Sequence, residues 1–270
     1  MLFIISLLFL DKFELAYNLF EHNYLMTDGE IDALFFAART AEKLKFKDHS
    51  VEFLKTIISK RPVLRENIIE FYVMIYTSIF EEYDNAIKKV QSIIDNTKVG
   101  AKLYQMRALQ QVRSDLQNKI ISIHNEFVDQ IKNTLIENND DPVCQYLLLK
   151  SIGDSYKLVG VHIKGDILKS KIQDALESYE LAVQIAEKQI GPTDPKYLRA
   201  VLNWTAFQYV FMKIRDKPTN VLFKCYQQGM SLIDEVPNEK CPEYCAVLEL
   251  MKRNMAAWTL NEEEDKNEKK

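Results

Sequence analysis

The stretch ENIIEFYVMIYTSIFEEYDNAIKKVQSIIDN (66–96) contains neither glycine nor proline and predicts one long helix. A second long helix is predicted from about 104 to 135, where apolar residues recur at spacings of three and four. The chain of 270 residues has seven glycines and seven prolines, about 5% of its residues against roughly 12% in average usage. So few corner-forming residues argue against a glycine-rich sandwich, a dinucleotide-binding fold and a collagenous repeat.

Helical patterns also dominate on both sides of these two segments. No strand-like run of alternating polar and apolar residues is as long as these helical patterns. Because the connections are short, consecutive helices are expected to be antiparallel neighbours. The sequence therefore predicts an all-α chain of nine helices plus an N-terminal extension. The domain prediction is an apolar helical extension (1–29), one helical domain (30–260) and a charged disordered tail (261–270). The other predicted helices cover about 30–44, 49–59, 141–162, 166–190, 196–213, 217–232 and 240–260.

The first ten residues, MLFIISLLFL, are apolar except for Ser6. Ten helical residues rise about 15 Å, roughly half of a bilayer, so this run cannot span a membrane alone. It lacks the preceding positive charge and the small residues that a signal peptide requires. The sequence favours a helix that packs on the body or on a partner, and membrane contact through 1–10 is the alternative.

The charge balance and the cysteine content indicate which partners and which cellular compartment suit the chain. Lys and Arg number 35 against 39 Asp and Glu, so the net charge of −4 supplies no basic field for nucleic acid. Four cysteines are too few for a disulfide scaffold, and they fit no paired zinc-binding pattern. A reduced, cytoplasmic protein is the simplest interpretation.

The sequence offers no catalytic constellation. It contains no HExxH, GxSxG, GxGxxG or GxxxxGK[ST] motif, and its four histidines lie on separate predicted elements. Cys241 and Cys245 stand one helical turn apart, but no two further ligands are evident beside them. We therefore predict a protein that is not an enzyme, with no cofactor and no metal site.

Two asparagines lie within otherwise apolar or aromatic stretches. They are Asn203 in RAVLNWTAFQYVF and Asn254 in LELMKRNMAAW. An amide both donates and accepts, which suits binding to the backbone of another chain. The alternative is an amide that is satisfied by its own neighbours.

Three blocks of the sequence resemble the 14-3-3 family. They are GDSYKLVG (153–160), SYELAVQIAEKQIGPTDPKYLRAVLNWTAFQYVFM (178–212) and LMKRNMAAW (250–258), and their spacing matches without a gap. The resemblance is specific over about 104–260 and weaker over 30–100, and residues 1–26 have no counterpart.

The resemblance implies a non-enzymatic adaptor: a bundle of nine antiparallel helices with a concave groove that binds phosphoserine or phosphothreonine peptides. The family's backbone-binding asparagines match Asn203 and Asn254. The remaining groove positions match Lys150, Lys157, Leu202, Leu250 and Trp258, and the apolar wall is matched less well by Ala206, Ala246 and Ala257.

The phosphate pocket does not carry over intact. In the family it comprises a Lys and an Arg on the third helix and an Arg-Tyr pair on the fifth. These positions fall on Thr77, Asp84, Lys157 and Leu158. The segment 66–87 contains no Lys or Arg, so phosphate recognition is predicted to be weak or lost. We further expect Lys157 to pair with Asp84 across the groove.

The family's dimer contacts are altered as well. The inter-protomer ion pairs map to Phe46 with Lys119 and to His49 with Asp115, and only protonated His49 would attract its partner. We expect a homodimer or a heterodimer. The expected interface comprises Ala41, Leu44, Phe46, His49, Ala86, Val90, Asp115 and Lys119.

Three interpretations of function follow. The leading one is an adaptor for target proteins or peptides, whose groove ligand is unphosphorylated, places its anion at another position or is the chain's own tail. The second is an all-α scaffold with a vestigial groove that acts through its apolar extension on a protein partner or a membrane surface. The third, a tetratricopeptide-type solenoid, lacks a 34-residue repeat signature.

Overall fold

The structure, a computed structural model, describes residues 26–97, 103–163 and 165–268. All regular elements in these ranges are helical. The helices are α1 (Asp28–Lys43), α2 (Lys47–Lys60), α3 (Glu66–Asn96), α4 (Leu103–Gln130), α5 (Pro142–Val159), α6 (Asp166–Ile185), α7 (Pro195–Val210), α8 (Asp216–Ser231) and α9 (Cys241–Glu268). A π-helical turn (Ile131–Leu135) and a last turn (Ile136–Asn138) extend α4, and a second π-helical turn (Ala186–Ile190) extends α6.

The all-α prediction and the count of nine helices are confirmed over the described ranges. The largest boundary error lies in α9, which continues to Glu268 where the sequence analysis ended it at residue 260. No glycine or proline follows Pro242, and Glu and Lys are good helix formers, so the helical backbone persists into the acidic end. Residues 1–25 of the predicted extension lie outside the described residues.

The described chain forms two compact units, one that ends at Pro62 and one that begins at Val63. In the first unit, α1 and α2 pack through buried apolar faces, and the hydroxyl of Ser50 donates to the carbonyl of Ala38 over 3.0 Å. Thr27 and Glu30 form a reciprocal capping box that fixes the start of α1. The division into extension, single domain and tail stays a prediction.

An aromatic cluster between α3 and α4 forms part of the core of the second unit. The Phe127 ring on α4 lies 4.8 to 5.6 Å from those of Tyr72, Tyr76 and Phe80 on α3. Next along the chain, α5 packs against α3, α4 and α6. It begins with Asp141 as the N-terminal cap and Pro142 in the first turn. This packing makes α5 the central element from which the candidate site is built.

His124 on α4 is fully buried beside the same cluster. Its Nε2 lies 3.0 Å from the hydroxyl oxygen of Ser155, and that hydroxyl donates to the carbonyl of Ile152. The imidazole therefore donates to Ser155 from Nε2, while its buried Nδ1 has no hydrogen-bond partner among the described residues. Burial, reinforced by the positive charge of Lys171, lowers the pKa of His124 to about 4.

We predict that His124 makes stability fall below neutral pH. The unfolded residue binds a proton near pH 6.5 and the folded one only near pH 4, so its contribution is complete above 6.5 and is lost as pH falls between these values. At pH 5 the expected loss is about 2 kcal/mol. His124→Gln keeps a donor for Ser155 but cannot titrate, so denaturant unfolding from pH 7.5 to 5 should show a flatter dependence. Equal pH slopes in the two proteins would contradict the prediction.

Candidate functional site

A half-buried carboxylate, Asp154 on α5, lies at the centre of the candidate site. Its Oδ2 accepts from the ammonium of Lys150 one turn earlier at 2.5 Å, and its Oδ1 accepts from Lys157 at 2.9 Å. Oδ1 also accepts from the hydroxyl of Tyr179 on α6 at 2.6 Å and from the side-chain amide of Asn203 on α7 at 3.2 Å. Three predicted groove residues, on two helices, thus meet at one acceptor.

The charge state of Asp154 follows from these neighbours. Burial alone would raise the pKa of its carboxyl, but the adjacent ammonium groups of Lys150 and Lys157 and the donated hydrogen bonds lower it to about 2. Asp154 is therefore ionised at neutral pH, and it holds Lys157 in place. No role for Asp154 was evident from the sequence, although the residue lies beside Gly153 in one of the blocks that carry the resemblance.

The packing of Tyr179 depends on Gly153. A Cβ built on Gly153 would lie 2.5 Å from two carbons of the Tyr179 ring, closer than any real contact. The same ring lies 5.1 Å from the ammonium of Lys157, an arrangement typical of a cation–π contact. Glycine at this position lets α6 approach α5 closely enough for the tyrosine hydroxyl to reach Asp154.

A cavity of about 410 Å³ opens beside this network, between α3, α4 and the end of α5. Asp84, which is 7% exposed, lies in its wall. Its carboxylate accepts from Lys88 at 2.5 Å and lies 3.0 Å from Nε2 of His162. The other lining residues are Ile87, Gln91, Arg113, Gln117, Lys157, Leu158 and Val161.

The prediction that Lys157 pairs with Asp84 is wrong. Both side chains line the cavity, but Lys157 bonds to Asp154, three residues earlier on its own helix. Asp84 is instead paired by Lys88, one turn later on α3, and by His162. Each group takes a partner that helix geometry already holds within reach, which costs less side-chain ordering than a bond across the cavity.

The cavity contains more positive charge than the sequence predicted. The cation-free segment of α3 ends at Ile87, and Lys88 follows at once. Arg113 enters from α4, and its guanidinium donates to the side-chain oxygen of Gln91. All three Lys and Arg side chains that line the cavity, including Lys157, are already bonded within the protein.

The residues predicted to line the groove differ in how far their side chains are exposed. On α9, Leu250 is 49% exposed, and Asn254 lies one turn further, half-buried and without a hydrogen bond to any described residue. Ala206 on α7 is half-buried. Leu202 and Trp258 are buried and present little surface, and the Trp258 ring is stacked on Tyr209 with centroids 4.2 Å apart.

The predicted interface residues also differ in exposure. In the first unit, Leu44 and Phe46 are each 46% exposed, whereas Ala41 is fully buried and offers no surface to a partner. The Phe46 ring meets that of His49 edge-on, with centroids 5.9 Å apart. In the second unit, Ala86 and Val90 are half-buried, and Asp115 and Lys119 are exposed.

Comparison with known proteins identifies the family. A family model described as "14-3-3 protein" matches residues 37–259. The chain is 21% identical over 231 residues to a 14-3-3 protein beta/alpha from Gallus gallus, with 86% of this chain and 94% of the relative covered. A 14-3-3 protein homolog from Trichoderma harzianum is 21% identical over 236 residues, covering 87% and 90% of the two chains. A 14-3-3-like protein, G-BOX factor 14 lambda from Arabidopsis thaliana, is 20% identical over 240 residues, covering 88% and 97%.

The chain belongs to the 14-3-3 family, of which it is a divergent member. The family consists of non-enzymatic adaptors that bind partner proteins. Among the residues that the structure describes, no helix is both long and apolar enough to cross a membrane.

Proposed function

We propose that this adaptor binds target proteins or peptides in the groove around Asn203 and Asn254 with little or no dependence on phosphate. The observation that carries the proposal is Asp84, a buried carboxylate at a position where the resemblance places a cation that binds phosphate. The other changes act in the same direction. Thr77 has no charge, and Leu158 has no phenolic donor.

Electrostatics supports the loss of phosphate affinity. A phosphate group carries about −1.5 to −2 charges. Placed about 4 Å from a carboxylate, it is repelled by of order 4 kcal/mol per unit charge at an effective dielectric constant of 20. Lys88 offsets part of this repulsion, because it pairs with Asp84. The same pairing, however, leaves Lys88 less able to bind a ligand.

Lys157, the cation that remains at a phosphate-binding position, is also less available to a phosphate than its charge suggests. The ammonium of Lys157 donates to Asp154 and lies over the Tyr179 ring, so a phosphate would have to compete with both. Lysine also lacks the planar fork with which arginine binds a phosphate through two hydrogen bonds. Lys157 therefore supplies a weak anchor for phosphate.

Paired peptides test this proposal. The full-length protein, titrated with phosphorylated and unphosphorylated forms of the same peptides, should bind the two forms with dissociation constants that differ by less than about threefold, or 0.7 kcal/mol. Calorimetry at neutral pH measures both constants under one condition. A preference of a hundredfold or more for the phosphorylated form would refute the proposal.

We propose in addition that the protein is cytoplasmic and forms a homodimer or a heterodimer. The exposed side chains of Leu44 and Phe46 support the dimer, because two large apolar groups so close together are better covered by a second chain. Sedimentation of the purified protein measures this directly. A single species of monomer mass at micromolar concentration would remove the homodimer from the proposal.

A further inference from the structure

The packed helices α8 and α9 carry three sulfur-containing side chains, two on α9 and one on α8. Cys241 is the first residue of α9, and Cys245 follows one turn later with its Sγ 3.8 Å from that of Cys241. Both thiols are reduced, with Cys245 exposed and Cys241 half-buried. On the helix, Cys245 and the groove residue Leu250 are five positions apart, which separates their directions by about 140°. A ligand at the cysteines would therefore leave the groove open.

Met230 on α8 supplies the third sulfur. It is 45% exposed, and it lines a cavity of about 250 Å³ together with Cys245. The surroundings are largely apolar, with Tyr226, Ile233 and Leu248 in the same wall. Glu249 also lines the cavity, but its carboxylate already accepts from Arg253 at 3.2 Å. Lys252 lines the cavity as well, and the soft donors in its wall are the sulfur atoms of Cys245 and Met230.

The separation of the two thiols suits a bridging metal better than a disulfide. Two metal–thiolate bonds of about 2.3 Å that meet at a tetrahedral or trigonal angle place their sulfurs about 3.8 to 4.0 Å apart, and the observed distance is 3.8 Å. A disulfide requires about 2.05 Å between the sulfurs and about 3.8 Å between the Cβ atoms. Residues four apart on a helix have Cβ atoms about 5 to 6 Å apart, so a disulfide would have to distort the first turn of α9.

We propose that Cys241, Cys245 and Met230 form a binding site for one Cu(I) ion. Thiolate and thioether ligands select Cu(I) among the first-row metals, and a three-coordinate site needs no further donor. A zinc site requires four ligands, and within the described residues no group of three His, Cys, Asp or Glu is placed to hold a metal. Only two ligands are evident here from the sequence, and the third, Met230, comes from α8.

Binding releases protons, because both cysteines bind as thiolates. The apparent affinity for Cu(I) should therefore increase with pH. This dependence separates binding at the thiols from binding at the thioether alone, which has no proton to release.

The test is an anaerobic titration of the reduced full-length protein with Cu(I) in competition with a chromophoric chelator. One ion should bind per chain, and C241S/C245S should lose at least a hundredfold in affinity. Met230→Leu should lose about tenfold, whereas the matched control Met74→Leu, a methionine of similar exposure on α3, should bind as wild type does. X-ray absorption of the loaded protein should show sulfur ligands at about 2.3 Å.

Several outcomes would overturn the assignment. These are unchanged affinity in the double cysteine variant, equal losses in both methionine variants, and Zn(II) binding as tight as that of Cu(I). Disappearance of two free thiols in the metal-free anaerobic sample would also overturn it, because the pair would then be a disulfide. None of these measurements uses the groove, so the result is independent of the proposed peptide binding.

Discussion

The triple variant Thr77→Lys, Asp84→Arg and Leu158→Tyr is expected to bind phosphorylated peptides about 30 to 100 times more tightly than the wild type does. The change removes one carboxylate from the cavity and adds two cations and one phenolic donor at the positions that the family resemblance assigns to phosphate. A hydrogen bond to a charged group contributes about 1.5 to 3 kcal/mol. We reduce the summed gain to about 2 to 3 kcal/mol, because the guanidinium introduced at position 84 would lie close to the ammonium groups of Lys88 and Lys157.

Asp84→Asn is the matched control for this experiment. It removes the negative charge without adding a cation, so we expect a gain of about threefold to tenfold for the phosphorylated peptide and no change for the unphosphorylated one. Calorimetry with the two peptide forms gives all four constants. Failure of the triple variant to gain affinity while it stays folded would show that phosphate, if it binds, does so elsewhere than in this cavity.

Gly153→Ala is expected to lower the free energy of unfolding by about 3 kcal/mol, at the upper end of the range for overpacked cores. The new methyl group would lie 2.5 Å from the Tyr179 ring, which is fully buried and cannot move aside. Separation of α5 from α6 would also stretch the hydrogen bond between the tyrosine hydroxyl and Asp154. A desolvated carboxylate that loses a donor adds to the cost.

Gly160→Ala provides the control in the same region. Gly160 has a right-handed helical backbone, and a Cβ there would meet no atom within 4 Å. Alanine restricts the unfolded chain more than glycine does, so this variant should be neutral or slightly stabilised. Denaturant unfolding of both variants separates the effects. Similar stability of the two variants would show that α6 tolerates the displacement.

The sequence was sufficient to predict the helices because their ends carry strong local signals. Pro142 with Asp141 marks the start of α5, and Gly191, whose φ of +102° suits glycine, ends the turn after α6. The end of α9 was missed because a run of charged residues predicts solvent exposure without specifying where a helix stops.

The site was harder to predict than the fold. Spacing placed Lys150 and Lys157 on α5 and the family resemblance placed Asn203 in the groove, but neither indicated that Asp154 binds all three. Helical periodicity shows which face a residue occupies and not which of several acceptors it meets. The contact between Asp84 and His162 was missed for the same reason, because the two residues lie 78 positions apart in the sequence.

The bond from Asn203 to Asp154 also fixes the orientation of the Asn203 side-chain amide in the proposed groove. The amide nitrogen of Asn203 donates one of its two hydrogens to the carboxylate, so the amide cannot flip without losing this bond, and its oxygen remains as an acceptor. Asn254, which bonds to no described residue, can still turn either its donor or its acceptor toward the ligand. Under the proposed function, Asn203 would therefore meet a bound chain with its amide held in one orientation, whereas Asn254 could turn its amide to suit the group that the chain presents.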